Sequence, residues 1–241
     1  MAAAMPSFQT SGAAGPAHAG TAHPCIARRT LLAGALALLA GSGCRSQAEQ
    51  AKGQVRSSGP PRPQPDLYDC EGCEGASERP PGSLQPHARI AAPGEPGERM
   101  RIEGVVYRPD GATPAANVVI YAYHTDAGGR YSRGTPETEE SRRHGLLRGW
   151  VRTGADGRYS FDTVKPGPYP GGTEPAHVHL TVLEPGRRPY WIDEIVFAGE
   201  FGVTDEYRRK RENRGGDGIV QLVRRNGLLV ARRDIILEPH P

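Results

Sequence analysis

The stretch Tyr169-Pro170-Gly171-Gly172-Thr173-Glu174-Pro175-Ala176-His177-Val178-His179-Leu180-Thr181-Val182 decides how the chain is read. Its second half has strand character, and on a strand alternate side chains share a face. His177 and His179 therefore point one way, while Val178, Leu180 and Val182 point the other way, into a core. Two imidazoles on one strand face make a compact metal-ligand pair. The alternative is a pair of polar residues on a solvated face. Tyr169, held between Pro168 and Pro170 and followed by a glycine turn, favours the metal reading.

Outward from this stretch, residues 98–241 read as short strands separated by turns. The run 101–107 ends at Pro109-Asp110-Gly111, and 117–124 ends near Gly128-Gly129. Runs 150–153 and 158–164 flank Asp156-Gly157 and read as a hairpin. Run 190–197 follows the histidine strand, and 218–223 and 228–231 flank Asn226-Gly227, the strongest short hairpin signal. Only 204–214 reads as helix, with Arg208-Arg209-Lys210-Arg211 as a solvated face. Tyr121, Tyr123 and Tyr159 read as packing residues, His124 as a packing or pocket residue, and His144 as a loop residue. Such strand spacing predicts an all-β antiparallel sandwich, long enough to bury a core.

Residues 1–44 read as an export signal. Arg28-Arg29 precede an apolar run over 30–40, too short to span a bilayer. Ala27-Arg28-Arg29-Thr30-Leu31-Leu32 resembles a twin-arginine signal, with an ordinary secretory signal as the alternative. Twin-arginine export moves folded proteins, which suits one that takes up its metal in the cytoplasm. Gly41-Ser42-Gly43-Cys44 loosely resembles a lipoprotein cleavage box, with Gly41 where leucine is usual. The expected location is thus periplasmic, or membrane-anchored through a lipid on Cys44.

Residues 45–97 are rich in proline and glycine and read as an extended linker. Within them Cys70-Glu71-Gly72-Cys73 reads as a small disulfide loop, since a zinc site would need two further ligands and a redox motif a βαβ setting. The formal net charge of +3, with arginines spread along the chain, gives no argument for nucleic acid. The oligomeric state has no signature in the sequence.

Three segments resemble the intradiol ring-cleavage dioxygenases of the catechol and protocatechuate type. They are Asp126-Ala127-Gly128-Gly129-Arg130-Tyr131, then Leu147 to Thr153 running through Asp156 to Pro170, and Pro175-Ala176-His177-Val178-His179. The resemblance implies a prealbumin-like β-sandwich holding a non-haem Fe(III) through Tyr131, Tyr169, His177 and His179. Phenolate, a hard anionic donor, suits Fe(III). The resemblance further implies a small aromatic diol and O2 as substrates. The diol would bind through both oxygens and displace Tyr169, and the ring would open to a muconate-type diacid without a reducing cofactor.

Two positions depart from the family. An arginine is usual three residues before the first histidine ligand, and here that residue is Glu174. A glutamine is usual in the following strand, and the nearest match is Glu194. Losing one preorganised donor costs on the order of 100–1000-fold in rate, so an altered substrate pocket is expected. Arg133, two residues after Tyr131, is the candidate to supply the missing positive charge by pairing with Glu174 or facing the substrate. A catecholate- or iron-binding module without turnover is the alternative function.

Overall fold

The computed structural model describes residues 65–70, 72–134 and 139–241. The export signal, Cys44 and residues 45–64 lie outside the described residues. In chain order the elements are β1 (His87–Arg89), β2 (Arg99–Tyr107), β3 (Val119–His124), α1 (Glu139–His144), β4 (Arg148–Arg152), β5 (Arg158–Val164), β6 (His177–Leu183), β7 (Tyr190–Phe197), α2 (Asp205–Lys210), β8 (Ile219–Val220), β9 (Leu222–Arg225), β10 (Leu228–Arg232) and β11 (Ile235–Ile236). They form two sheets, one in the order β1-β5-β2-β10-β9 with β11 also on β2, the other in the order β4-β3-β6-β7-β8.

The expected all-β class holds, but the sheets are mixed rather than antiparallel. The pairs β1–β5, β2–β10, β2–β11 and β7–β8 run parallel. Parallel neighbours need long connections, and β2 and β10 are far enough apart in sequence to allow one. The core lies between the sheets. Met100 and Ile102 of β2 and Tyr159 and Phe161 of β5 join one cluster with Ile120 and Ala122 of β3 and Val178, Leu180 and Val182 of β6. His124 stands opposite Val178 in the β3–β6 register. It is buried and bonds Thr163 of the other sheet, Nε2 to Oγ1 at 2.7 Å. Burial lowers its pKa to about 4, so it is a neutral core residue rather than a pocket group.

The turn at Asn226-Gly227 makes the expected hairpin, with both residues at positive φ (49° and 80°) joining antiparallel β9 and β10. Asp156-Gly157 does not. Its turn is tight, with Gly157 N–H donating to Gly154 O at 3.0 Å, yet β4 and β5 belong to different sheets. Gln85-Pro86 separates them. The carbonyl of Gln85 takes the Arg152 N–H and that of Pro86 takes the Ser160 N–H. Thr153 meanwhile donates its N–H to Val118 O and its hydroxyl to Ala115 O, tying the end of β4 to the approach to β3.

The linker reading likewise fails over 65–97. This segment contributes β1, which pairs with β5, and buries Leu67, Cys73, Ala76, Leu84, Ile90 and Ala91. Proline-rich composition disfavours long ladders but not a covering segment that satisfies its neighbours bond by bond. The disulfide between Cys70 and Cys73 forms as expected. Beside it, the Gly75 carbonyl accepts from Trp150 Nε1 at 2.7 Å, and Tyr121 stacks on Trp150 at 4.9 Å. A Cβ at Gly75 would lie 2.8 Å from the Tyr121 ring, so this covering segment needs glycine there. It shields part of the outer face of the second sheet, the face that carries the histidines.

The expected helix is shorter than 204–214. Thr204 caps α2, its hydroxyl accepting the Tyr207 N–H at 3.1 Å. The helix stops at Arg211, which turns inward instead of lying on a solvated face. Its guanidinium reaches Asp193 Oδ2 at 3.2 Å and Glu194 Oε1 at 2.7 Å.

Candidate metal centre

Because β6 alternates, Val178 enters the core while His177 and His179 leave on the outer face of the second sheet. Their Nε2 atoms lie 3.0 Å apart. His177 Nδ1 is 2.8 Å from the Pro175 carbonyl, which can only accept, so Nδ1 carries the proton and the Nε2 lone pair faces His179. The Tyr169 hydroxyl is 3.2 Å from His177 Nε2 and 2.9 Å from the Tyr131 hydroxyl. Four oxygen and nitrogen donors from three chain segments thus meet in one small volume.

Two loops bring the tyrosines there. Asp126 Oδ1 accepts from the Gly128 and Arg130 N–H groups, and Oδ2 accepts from Ser132 Oγ, closing the loop that carries Tyr131. The Asp126 carbonyl also accepts from Gly167 N–H at 2.9 Å, and Thr125 Oγ1 donates to Gly167 O at 2.8 Å. The Tyr131 loop is therefore stapled to the segment leading into Tyr169. Gly129 lies at the contact, with φ 76°, and a Cβ there would be 1.9 Å from the Pro168 carbonyl. Gly129→Ala should cost about 1–3 kcal/mol from backbone conformation alone, with further loss as the two tyrosine loops are pushed apart. Denaturant unfolding together with metal content of the purified variant checks this, and a silent substitution would refute the staple.

Electrostatics keep Tyr131, Tyr169 and His179 uncharged without a metal. Burial, with the hydrogen bond to Tyr169 and the negative charge of Glu174, raises the Tyr131 pKa far above the usual phenol range. Burial also raises Tyr169, with Glu174 and Glu194 acting in the same direction and the Tyr131 hydrogen bond opposing. Burial and the adjacent His177 lower His179 to about 3, so its ring is neutral and its lone pair is free to bind a cation. Among the described residues no cluster of three or more histidine, cysteine or carboxylate groups is arranged to hold a metal. A metal at this centre would depend on the two phenols.

The residues around the donors differ from the sequence reading in several ways. Tyr123 is paired with His179 across β3 and β6 and stacks on its ring at 4.5 Å. His144, expected in an exposed loop, is buried, stacks on Tyr123 at 3.8 Å and bonds the Tyr121 hydroxyl at 2.7 Å. Both residues back the centre. The period-two alternation of β3 could have placed Tyr123, whereas nothing local marks His144. Glu194 does lie beside the centre. A register shift between Val178 and Leu180 sets two residues of β7, Asp193 and Glu194, opposite His179. Such a bulge re-aims side chains, and the charge of Glu194 is felt at both Tyr169 and His179. Glu174 is exposed and its charge acts on both phenols. Arg133 is exposed and makes no ion pair with Glu174 among the described residues. Glu194 is instead met by Arg211, which donates to its Oε1 at 2.7 Å and to the Tyr207 hydroxyl at 2.6 Å.

The second sheet thus carries His177 and His179 on its outer face, and two loops bring Tyr131 and Tyr169 to them. The family described as Dioxygenase matches residues 81–214, more than half the chain, and the chain belongs to it as an intradiol-type member. It is 33% identical to chlorocatechol 1,2-dioxygenase of Rhodococcus opacus over 123 residues, 44% of this chain and 46% of that protein. It is 30% identical to catechol 1,2-dioxygenase 2 of Acinetobacter lwoffii over 150 residues, 51% of this chain and 53% of that protein. The chain thus spans about half the length of these relatives. The dioxygenase domain of a dioxygenase–carbohydrate-binding protein fusion from Streptomyces sp. SirexAA-E shares the fold, with a TM-score of 0.50 and 21% identity over 65% of this chain and 90% of that one.

Proposed function

We propose that the chain is a non-haem Fe(III) intradiol dioxygenase that opens a catechol-type ring with O2 to a muconate-type diacid. The observation that carries this reading is the convergence of Tyr131, Tyr169, His177 and His179 at spacings of 2.9, 3.2 and 3.0 Å. The donor set fits ferric iron. Two imidazoles present lone pairs, and two phenols become hard anionic donors once deprotonated. Fe(III) bound there supplies the positive charge and the electron-accepting character that ring chemistry with O2 requires.

The chain's own residues do the rest. Pro175 fixes the His177 tautomer. Tyr123 and His144 back the His179 ring by stacking and limit its rotation. Tyr169, half-buried like Tyr131, is the phenol that family resemblance assigns to leave for the diol; as a phenolate its oxygen would take up a catechol proton and become the neutral hydroxyl. Glu174 and Glu194 give the pocket an altered charge pattern, with Arg211 balancing Glu194. Both oxygen atoms enter the product, so no external reductant is consumed. Export to the periplasm, with a lipid on Cys44 as a variant, is part of this reading and rests on the leader sequence. The prealbumin-like form of the sandwich is also part of this reading and rests on the family resemblance, while the description of residues 1–44 as a separate signal rests on the leader sequence.

The purified protein should be coloured, with a broad visible phenolate-to-Fe(III) band, and should take up one O2 per catechol cleaved. A colourless protein after reconstitution with Fe(III), or one that selects zinc, would sink the iron assignment. A coloured protein that binds catechols without oxygen uptake would point to the non-turnover alternative.

A further inference from the structure

Of the two carboxylates whose charge acts on the phenols, one is compensated and, among the described residues, the other is not. Glu194 is held by Arg211 and by the Tyr207 hydroxyl, at 2.7 and 2.6 Å. Glu174 is exposed, and among the described residues its carboxylate has no hydrogen bond or ion pair. Its position is set by a tight loop whose two ends are donors of the centre. At one end the Gly172 N–H donates to the Tyr169 carbonyl at 2.9 Å, and at the other His177 Nδ1 donates to the Pro175 carbonyl at 2.8 Å.

A second loop adjoins this one. Gly202 abuts it so closely that a Cβ there would lie 2.9 Å from Pro175 N and 3.2 Å from Thr173 O. The residue before Gly202 is Phe201, which is 64% exposed, the most exposed large apolar side chain among the described residues. The loop is anchored by Lys165, which pairs with Glu200 at 2.8 Å. Glu174, without a charged partner among the described residues, and the exposed ring of Phe201 therefore stand on adjoining loops, and the Glu174 loop joins two donors of the candidate centre. Together these are the two groups that recognise an organic ammonium, one by charge and the other by its electron-rich face.

We infer that Glu174 and Phe201 form a cation-recognising rim, and that the favoured substrate is a catechol whose side chain carries an ammonium group. This inference rests on the catechol reading of the centre and specifies its substrate class. A catechol bearing a carboxylate would meet Glu174 with like charge and no compensating guanidinium. An uncharged catechol would use only the ring-binding part of the site.

The test uses the full iron-loaded chain and three catechols of similar size, substituted with an aminoethyl, an ethyl or a carboxymethyl group. Binding is measured anaerobically, so that no turnover is needed, and oxygen uptake is measured separately. The wild type should bind the aminoethyl compound about 5–10-fold more tightly than the ethyl compound, and the carboxymethyl compound most weakly. Raised ionic strength should shrink these ratios. Glu174→Gln should bring the amine-to-ethyl ratio towards one, and Glu174→Arg should reverse the order in favour of the acid. Phe201→Ala should lower the amine-to-ethyl ratio by a smaller factor. A wild type that binds the ethyl catechol with no preference for the amine, or a ratio that Glu174→Gln leaves unchanged, overturns the inference while the catechol reading stands. A wild type that binds none of the three overturns the catechol reading and this inference with it.

Discussion

His177→Ala and His179→Ala should each yield a folded protein that has lost most of its iron and its visible band, with oxygen uptake falling in step. The two Nε2 atoms lie 3.0 Å apart in the shared volume, and each imidazole can offer a lone pair there to a metal once His179 holds its proton on Nδ1. Removing one leaves the two phenols with a single nitrogen donor. Neither substitution opens the core, because both rings leave the outer face of the sheet. His179→Ala also removes the partner on which Tyr123 stacks at 4.5 Å, so it should loosen that side of the centre as well. Val178→Ala is the control. Its side chain is fully buried between the sheets, and truncating it should cost about 1–3 kcal/mol of stability with little change in iron content. Metal analysis and denaturant unfolding on the three variants separate these effects. Unchanged iron content in both histidine variants would remove them from the ligand set.

The histidine pair was legible because period two is enforced by the backbone. Once 177–183 is a strand with Val178, Leu180 and Val182 in the core, the imidazoles have only one face left. The Asn226-Gly227 hairpin was legible for a similar local reason, since two successive positive-φ residues fit a two-residue turn. Asp156-Gly157 shows where local chemistry stops. It does make a turn, but which sheet each flanking strand joins was decided by Gln85-Pro86, about seventy residues earlier, which took the hydrogen bonds the two strands would have shared. The covering segment over 65–97 was missed because its buried residues are spaced irregularly and carry neither helical nor strand period.

The tyrosines are a different case. Tyr131 and Tyr169 lie 38 residues apart, and no periodicity links them. Only the family resemblance brought them together in the sequence. The structure shows the physical link, with Asp126 closing one loop and stapling it to the other. His144 and Arg211 were misread for a common reason. A charged or polar residue beside other charges is normally solvated, and the groups that draw these two inward, Tyr121 and Tyr123 for one and Asp193 and Glu194 for the other, are remote in sequence.

Arg211→Ala should be strongly destabilising, and its cost should shrink on acidification. The guanidinium is nearly buried, at 6% side-chain exposure, and balances two carboxylates, Asp193 at 6% and Glu194 at 31%. Removing it strands both charges, and breaking a buried pair from one side costs about 3–5 kcal/mol. Although burial opposes ionisation, Arg211 and the Tyr207 hydroxyl hold the Glu194 carboxyl down at about 2. A depressed folded-state pKa means that Glu194 stabilises the wild type above the ordinary carboxylate range and that this contribution is lost as pH falls towards 2. Asp193 behaves oppositely. Burial raises its pKa despite the opposing charge of Arg211, so ionisation of Asp193 works against the fold at neutral pH. Without the guanidinium both carboxyls should shift upward and take up protons as the pH falls from neutrality, which relieves the stranded charges. The stability gap between wild type and variant should therefore be widest near pH 7 and narrow steadily below pH 5. Denaturant unfolding across that range measures it. A gap that is constant with pH would mean that Arg211 acts through packing on Tyr207, over whose ring it lies at 5.3 Å, rather than through its charge. Arg211→Lys separates the two further, since it keeps the charge but not the planar guanidinium, whose Nη1 donates to Glu194 Oε1 and the Tyr207 hydroxyl and whose Nη2 donates to the Glu194 carbonyl. It should recover part of the lost stability. Because Glu194 adjoins His179 and Tyr169, it should also displace the visible band of the iron-loaded protein less than Arg211→Ala does.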